Sequence, residues 1–125
     1  MATVVTNAGR AITTNRLKGS GTEPSFVGWG VGTTTAAVTQ TALVTESAPT
    51  STTRGAGTST QQTTTVTNDT YQVVGTVTAG STLAITEAGL FDAATTGNMF
   101  IRGDFAAINV VSGDAIQFTI KAVYA

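Results

Sequence analysis

Apolar and polar residues alternate most clearly between positions 82 and 105. The alternation has a period of two over residues 83–86 and returns over residues 99–105, as expected for strands that bury one face. The residues between them, 92–98, are mostly turn formers. The pattern predicts two antiparallel strands joined by an exposed loop, with a kink in the first strand at Gly89.

Two further stretches are predicted to be strands of the same kind. Residues 71–78 alternate around Tyr71 and Val73, and residues 115–124 alternate without a break. Burial of apolar surface contributes about 25 cal/mol per Å², so these strands and the hairpin are expected to build the core. The residues expected to hold this structure together are Glu87, Gly89, Leu90, Phe91, Ile116, Phe118 and Ile120.

A short helix is predicted from Ala8 to Lys18. Asn7 is suited to cap its first turn, and Gly19 is suited to end it. The residues before the helix, 1–6, include a β-branched apolar stretch that predicts either a strand or a docking arm.

Residues 25–32 alternate apolar side chains with glycine. Gly28, Gly30 and Gly32 fall on one face of the predicted strand, and Trp29 lies on the other. Glycine inside a strand indicates a close backbone approach. Another element is therefore predicted to pack directly over the glycine face.

The remaining stretches connect these elements. Residues 33–46 are predicted to form a helical turn or an irregular strand, residues 47–60 an exposed loop, and residues 61–67 an exposed edge strand. With roughly five to seven strands spaced about ten residues apart, residues 1–125 are predicted to form a single all-β domain. We expect an antiparallel β-sandwich or flattened barrel with one short N-terminal helix.

Charge is sparse, since the 125 residues carry six basic and seven acidic side chains for a net charge of −1. Nucleic-acid binding requires a basic surface, and a membrane span requires about 20 apolar residues. Neither pattern is present, so no nucleic-acid or membrane partner is expected. The first residues also lack the features of a signal peptide, and folding in a cytoplasm is expected.

Threonine is unusually frequent, with 28 residues in the chain. It favours extended backbone and makes a strand face wettable without charge. Two interpretations remain open. The chain is either a β domain with neutral surfaces or a protein built to lie against other protein, because hydroxyl groups cost less to desolvate than charges.

Side chains that carry out catalysis are scarce. The chain has no cysteine and no histidine, which removes disulfides, thiolate ligands and the commonest general base. The carboxylates fall at or near predicted turns, and none has the spacing of a calcium loop. We expect no enzymatic activity, no catalytic residue, no cofactor and no metal site. Glu87 differs from the other acids, since its position between two core strands would allow it to hold a neighbouring loop through backbone N–H groups.

Two single residues carry alternative interpretations. Trp29 is interpreted as a core residue, with stacking on a sugar as the alternative. Arg54 stands alone in a predicted loop, where it is either solvated or available to pair with another subunit.

Four segments resemble a group of small tailed-bacteriophage virion proteins. They are TEAGLFDA at 86–93, SGDAIQFTI at 112–120, TNAGRAITTNRLKGSGTEPSFVGWGVG at 6–32 and TALVTES at 41–47. A related pattern is found in the amino-terminal region of phage tail-collar fibre proteins. The resemblance spans nearly the whole chain and implies a structural component of the virion.

The resemblance implies a capsid decoration (cement) protein that bridges adjacent subunits of the major capsid protein. Such proteins are homo-oligomers, often trimers, and would be assembled with the virion in the host cytoplasm. The neutral β domain and a chain that stops after its last core strand favour this role. A tail, baseplate or fibre-attachment protein is the alternative, and a carbohydrate-binding adhesin that uses Trp29 is a third.

Contacts with partners are expected from segments that look unconstrained in the chain alone, which are residues 2–6 and the loop 47–60. Removal of residues 2–6 is expected to weaken binding to the particle and to leave the fold intact. The candidate interface residues are Ala2, Thr3, Val4, Val5, Thr6, Trp29 and Arg54.

Overall fold

The fold is an antiparallel β-sandwich with one short helix. The computed structural model describes residues 2–47 and 54–124, which form helix α1 (Asn7–Lys18) and nine strands. The strands are β1 (Ala2–Val5), β2 (Phe26–Gly30), β3 (Glu46–Ser47), β4 (Gly55–Ala56), β5 (Thr58–Gln62), β6 (Thr70–Thr78), β7 (Leu83–Phe91), β8 (Met99–Val110) and β9 (Ala115–Val123).

The strands form two sheets. The larger sheet has the order β1-β8-β7-β2-β3, with β4 also pairing with β2, and the smaller has the order β5-β6-β9. A Cβ atom at Gly75 of β6 would lie 2.7 Å from Val27 of β2, so the sheets approach closely at this point. The arrangement confirms the predicted all-β sandwich and its N-terminal helix.

The core lies between the two sheets. Val27 and Trp29 of β2, Leu90 of β7 and Val73 of β6 are all completely buried. The Trp29 ring meets Phe118 of β9 edge-on, with the ring centroids 6.5 Å apart. Trp29 is therefore a core residue, as preferred from the sequence, and it presents no surface for a partner or a sugar.

Strand β9 alternates as predicted, but it lies at the margin of the core. Ile116, Phe118 and Ile120 pack against the core cluster and stay partly exposed. The reason is topological, since β9 is the last strand of the smaller sheet. β9 therefore contributes to the core, as expected, but from its margin.

The predicted hairpin is confirmed, since β7 pairs antiparallel with β8. Its irregularities lie on either side of Gly89 rather than at that residue. The register shifts between Ile85 and Glu87, and again between Leu90 and Phe91. Regular alternation would place Ile85 and Leu90, five residues apart, on opposite faces. Both belong to the core cluster, so the faces of β7 exchange between them, at the irregular pairing between Ile85 and Glu87.

Each strand of the hairpin is buried on both faces along part of its length. Residues 87–91 of β7 and residues 99–102 of β8 are buried without alternation. The smaller sheet covers one face, and the irregular segment 31–45 crosses the other. This segment is neither the helical turn nor the irregular strand predicted for residues 33–46, because its backbone contacts are made mainly with side chains of the sheet below it.

The first residues form an edge strand and not a free docking arm. Strand β1 pairs with residues 101–104 of β8. Thr6 follows it and is completely buried. Its hydroxyl accepts the Gly9 N–H at 2.9 Å and donates to the Met99 carbonyl, so Thr6, not Asn7, caps α1. Removal of residues 2–6 would take away a strand and a helix cap, so we expect it to destabilise the fold.

The helix ends as predicted. Gly19 adopts the left-handed conformation with φ of 95°, which glycine reaches without steric cost. The helix lies so close to the sheet that a Cβ atom at Gly9 would stand 2.2 Å from the Phe100 carbonyl oxygen. The buried face of the helix is therefore set by Gly9 and Ile12.

The region predicted as the loop 47–60 contains strands β4 and β5, and its residues 48–53 lie outside the described part of the chain. The edge strand predicted at 61–67 lies earlier in the chain, since β5 ends at Gln62. A turn follows because the Asp69 carboxylate accepts the backbone N–H groups of residues 64, 65 and 66. Hydrogen bonds from Val66 and from its neighbours hold the pKa of Asp69 well below its usual range.

The double role of Thr6 leads to a stability prediction. Thr6→Ala removes the helix cap and leaves the buried Met99 carbonyl without its donor, so we expect a loss of about 1–2 kcal/mol in the free energy of unfolding. Thr14→Ala is the matched control, since Thr14 lies exposed in the same helix and its loss should cost less than about 0.5 kcal/mol. Urea denaturation of the three proteins measures the difference, and equal stability of both variants would contradict the assigned role.

Candidate functional site

A buried ion pair lies at the centre of the larger sheet. Glu87 of β7 and Arg102 of β8 are both completely buried. Arg102 donates to Oε1 of Glu87 from Nη2 at 2.9 Å and from Nε at 3.1 Å. The register places Arg102 opposite Gly89 and Glu87 opposite Asp104, so the pair is a diagonal contact across two neighbouring strands.

Glu87 points to the outer face of the sheet because the alternation of β7 is interrupted just before it. Strict alternation would place Glu87 on the same face as Leu83 and Ile85, which is the core face. The alternation is interrupted at the irregular pairing between Ile85 and Glu87, where three residues of β8 lie opposite the one residue Thr86, and the Glu87 carboxylate faces the segment 31–45. The site therefore depends on an irregularity that the alternating pattern of the sequence does not show.

Glu87 holds the crossing segment through its backbone. Its Oε2 accepts the N–H groups of Gly32 at 2.9 Å and Thr45 at 2.8 Å, and its Oε1 accepts the Val44 N–H at 2.8 Å. The sequence predicted that Glu87 could hold a neighbouring loop through backbone N–H groups, and these contacts confirm it. Together with the two bonds from Arg102, the carboxylate accepts five hydrogen bonds.

Only an ionised carboxylate can satisfy this set of donors, because a protonated one would present a donor of its own. Burial alone would raise the pKa of Glu87. The hydrogen bonds from the N–H groups of Thr45, Val44 and Gly32 and from Arg102 outweigh that effect, so the pKa lies below its ordinary value.

Arg102 extends the network to the middle of the segment. Its Nη1 donates to Oε1 of Gln40 at 3.2 Å, and the same oxygen accepts the Ala37 N–H at 2.9 Å. Asp104, two residues along β8, accepts the Ala36 N–H at 2.7 Å and the Ala2 N–H at 3.3 Å. The pKa of Asp104 lies below its usual value, mainly because its carboxylate accepts the hydrogen bond from the Ala36 N–H.

The glycine face of β2 lies directly under this segment, as predicted. A Cβ atom at Gly30 would stand 2.2 Å from the Thr45 carbonyl oxygen, and one at Gly32 would stand 2.5 Å from Oε2 of Glu87. Contacts this short leave no space for a side chain. The alternating glycines of residues 28–32 therefore allow the crossing segment to reach the sheet and its carboxylate.

Arg54 is engaged within the chain. It forms a bidentate pair with Glu46, with its Nε 2.7 Å and its Nη2 2.9 Å from the two carboxylate oxygens. Its guanidinium carbon lies 3.4 Å from the centroid of the Phe91 ring. Its Nη1 also donates to the carbonyl groups of Ala93 and Thr96. Arg54 thus fastens the hairpin loop to β3, and the expected pairing between subunits is not required to account for it.

The other residues singled out from the sequence are distributed through the fold. Leu90 lies in the core between the sheets, and Phe91 lies in a smaller cluster with Leu43 and Met99. Gly89 lies in the paired part of the hairpin. Ala2, Thr3, Val4 and Val5 line the edge of the larger sheet as β1. The structure therefore does not gather the candidate interface residues into one surface.

Sequence reasoning missed Arg102, the helix-capping role of Thr6 and the hydrogen bonds by which Asp69 holds its turn. Arg102 and Glu87 carry opposite charges on the two strands of one predicted hairpin, and this feature of the sequence could have identified the ion pair. Thr6 and Asp69 act through short-range caps and turns, for which a threonine or an aspartate beside a helix or turn is a general but unspecific signal.

A groove of about 400 Å³ lies beside the helix and is mostly apolar. It is lined by Ile12, Leu17, Pro24, Tyr71, Phe100 and Tyr124, with Glu23 as its one acid. Burial, together with the nearby Glu23 carboxylate, raises the pKa of Tyr71 above its usual value. Within residues 2–47 and 54–124, no three acidic side chains converge to hold a metal ion. No helix of the described chain is long and apolar enough to cross a membrane.

Comparison with known protein families gives a match over nearly the whole chain. A family model described as "Podophage GP4 fiber I protein gp80" matches residues 6–125. No curated protein and no solved structure matches the chain. The matched residues include the whole Glu87 and Arg102 network and every described strand except β1.

The buried pair leads to a prediction about stability at neutral pH. In Glu87→Gln, the new amide nitrogen is a donor that faces backbone N–H donors, and Arg102 loses its counter-charge. We expect a loss of about 3–5 kcal/mol in the free energy of unfolding. Glu46→Gln breaks a more exposed ion pair and should cost about 1 kcal/mol or less. Urea denaturation compares the two, and a similar cost for both variants would contradict the central role of Glu87.

The same variant changes the dependence of stability on pH. The pKa of Glu87 is lower in the folded state than its value of about 4.3 in the unfolded chain, so its stabilising contribution is complete above that pH. The contribution is lost as the pH falls from the unfolded pKa through the folded one. Wild-type stability should therefore fall more steeply in acid than that of Glu87→Gln, while Asp69 and Asp104 leave a residual slope in both. Parallel curves would show that Glu87 does not titrate in this way.

Proposed function

The chain belongs to the family of the podophage GP4 fiber I protein gp80, and we propose that it is a building block of a fibre on the phage particle. The match of that family model to residues 6–125 carries this proposal. Membership makes the chain a phage structural protein and a virion component. We propose further that the chain lies in a fibre of the virion and that it functions by associating with other protein chains.

The surface of the smaller sheet supports an association role. Its outward positions carry hydroxyl and amide side chains, among them Thr60 of β5, Thr76 of β6 and Thr119 of β9, which are all exposed. Such groups cost less to desolvate than lysine or glutamate side chains. A partner can therefore cover these faces without paired charges, and contacts of this kind add up when many copies assemble.

The internal network supports the same role through rigidity. The segment 31–45 has little regular structure of its own. Glu87 fixes it at both ends and Arg102 fixes it in the middle, at Gln40. A structural subunit must present its contact surfaces in one arrangement, since ordering them during assembly would reduce the affinity. We propose that the chain acts as a preformed block by binding and not by catalysis.

Capsid decoration, expected from the sequence, is the second candidate. The neutral surface fits that role as well, and its partner would be the major capsid protein. The fibre description of the matched family favours the fibre. A sugar-binding role for Trp29 has lost its basis, because that side chain is completely buried.

Location and copy number in the virion test the proposal. An antibody against the chain, with gold label, should mark a fibre on purified particles in electron micrographs, and an antibody against the major capsid protein should mark the head. Quantitative mass spectrometry of the same particles should give far fewer copies of the chain than of the major capsid protein. Label spread over the head, with a copy number comparable to that of the capsid protein, would contradict the fibre role and support decoration.

A further inference from the structure

One side of the sandwich ends in two strand edges that nothing in the described chain covers. Strand β9 pairs with β6 along all nine of its residues, and among residues 2–47 and 54–124 no strand pairs with its other edge. In the larger sheet, β1 covers only residues 101–104 of β8. The outer edge of residues 105–110 is also without a partner strand in the described part of the chain. We call the edge of β9 and the edge of residues 105–110 together the open seam.

Core-facing side chains are exposed at the open seam. Ile108 pairs with the completely buried Ile85 and shares its face, yet Ile108 is 43% exposed. Phe105 packs on Phe118 with the ring centroids 6.3 Å apart, and both rings stay partly exposed. The apolar interior of the sandwich therefore reaches solvent along this side.

The chemistry of the seam specifies what can cover it. A strand edge presents a row of unpaired N–H and C=O groups, which only another extended strand satisfies along its length. At about 3.3 Å per residue, the nine residues of β9 give an edge about 30 Å long. Natural proteins protect such edges with proline, charged side chains, lysine above all, bulges or inward charges. β9 has no proline and no register shift, and Lys121 is its one charged residue.

We propose that a second copy of this chain covers the open seam by antiparallel pairing of β9 with β9. A two-fold axis perpendicular to the smaller sheet would join the two sheets into one of six strands. The core-facing side chains of β9, Ile116, Phe118 and Ile120, would then lie on the same face of the joined sheet in both copies. Each copy would cover the apolar interior of the other along the open seam. The inference deepens the proposed fibre role, on which its biological meaning rests, by naming the partner of this surface.

The sequence of β9 fits pairing with itself. Full overlap of the nine residues puts the centre at Thr119, so that each Thr119 lies opposite its own copy. Lys121 then lies opposite Gln117 and Phe118 opposite Ile120. No like charges face each other in this register, and the apolar pairs meet on the core side, both of which favour cross-strand pairing.

A single engineered cysteine tests the pairing and its register. The natural chain has no cysteine, so any cross-link in Thr119→Cys joins residue 119 of two copies. Directly opposite residues have Cα atoms about 4.5–5.5 Å apart, which is within the range of a disulfide. Mild oxidation of the purified full chain should convert most of it into a covalent dimer that reductant releases. Thr60→Cys, on the exposed edge strand β5, is the matched control and should stay largely monomeric.

A charge variant provides the second measurement. Thr119→Lys would place two additional lysines opposite each other and should abolish the dimer measured by light scattering, while Thr60→Lys adds the same charge elsewhere and should leave it intact. A wild-type chain that is monomeric at high concentration, with no cross-link in Thr119→Cys, would overturn the proposal. So would an assembly that neither forms this cross-link nor responds to Thr119→Lys. These outcomes concern pairing alone, so they leave the fibre location to be decided by the labelled particles.

Discussion

The hydrogen bonds around the Glu87 carboxylate are the interaction on which the rest of the structure depends. Five donors converge on one side chain, three from the backbone of a crossing segment and two from Arg102. The glycines of β2 leave the space that the crossing segment occupies. The outer face of the larger sheet is closed because a segment without regular structure of its own is attached there by a buried charge.

A buried ion pair is not in itself a source of large net stability. Desolvation of the two ions offsets much of their attraction, and an apolar pair of similar volume can be as stable. Removing one partner is costly, however, because it leaves the other charged and buried. The contribution of Glu87 and Arg102 is therefore to give one conformation of the segment 31–45 a much lower free energy than its alternatives. For a subunit that functions by contact, a single arrangement of its surface is what assembly requires, and the open seam then offers a defined edge for a second copy.

Local patterns of the sequence predicted the parts of the fold that local physics determines. Alternation located the hairpin and β9, the glycines of residues 28–32 predicted the close approach of another element, and Gly19 ended the helix as expected. The position of Glu87 between core strands pointed to its loop contact. The irregular pairing before Glu87 and the partner Arg102 could not be derived in the same way, since a register shift depends on how two strands pair with each other. The assignment of residues 2–6 failed for a similar reason, because their strand partner and the carbonyl that Thr6 binds lie about a hundred residues away in sequence.

Amide hydrogen exchange at Gly32, Val44 and Thr45 tests the central claim most directly, because these three N–H groups end on the Glu87 carboxylate. In the wild-type chain at neutral pH they should exchange slowly, with protection that approaches that of the β7 and β8 amides. In Glu87→Gln their exchange should accelerate by about two to three orders of magnitude, in keeping with the cost of an unpaired buried charge. The amides of the β6 and β9 pairing should keep more of their protection. Unchanged protection of the three amides in the variant would contradict the claim that Glu87 holds the segment in place.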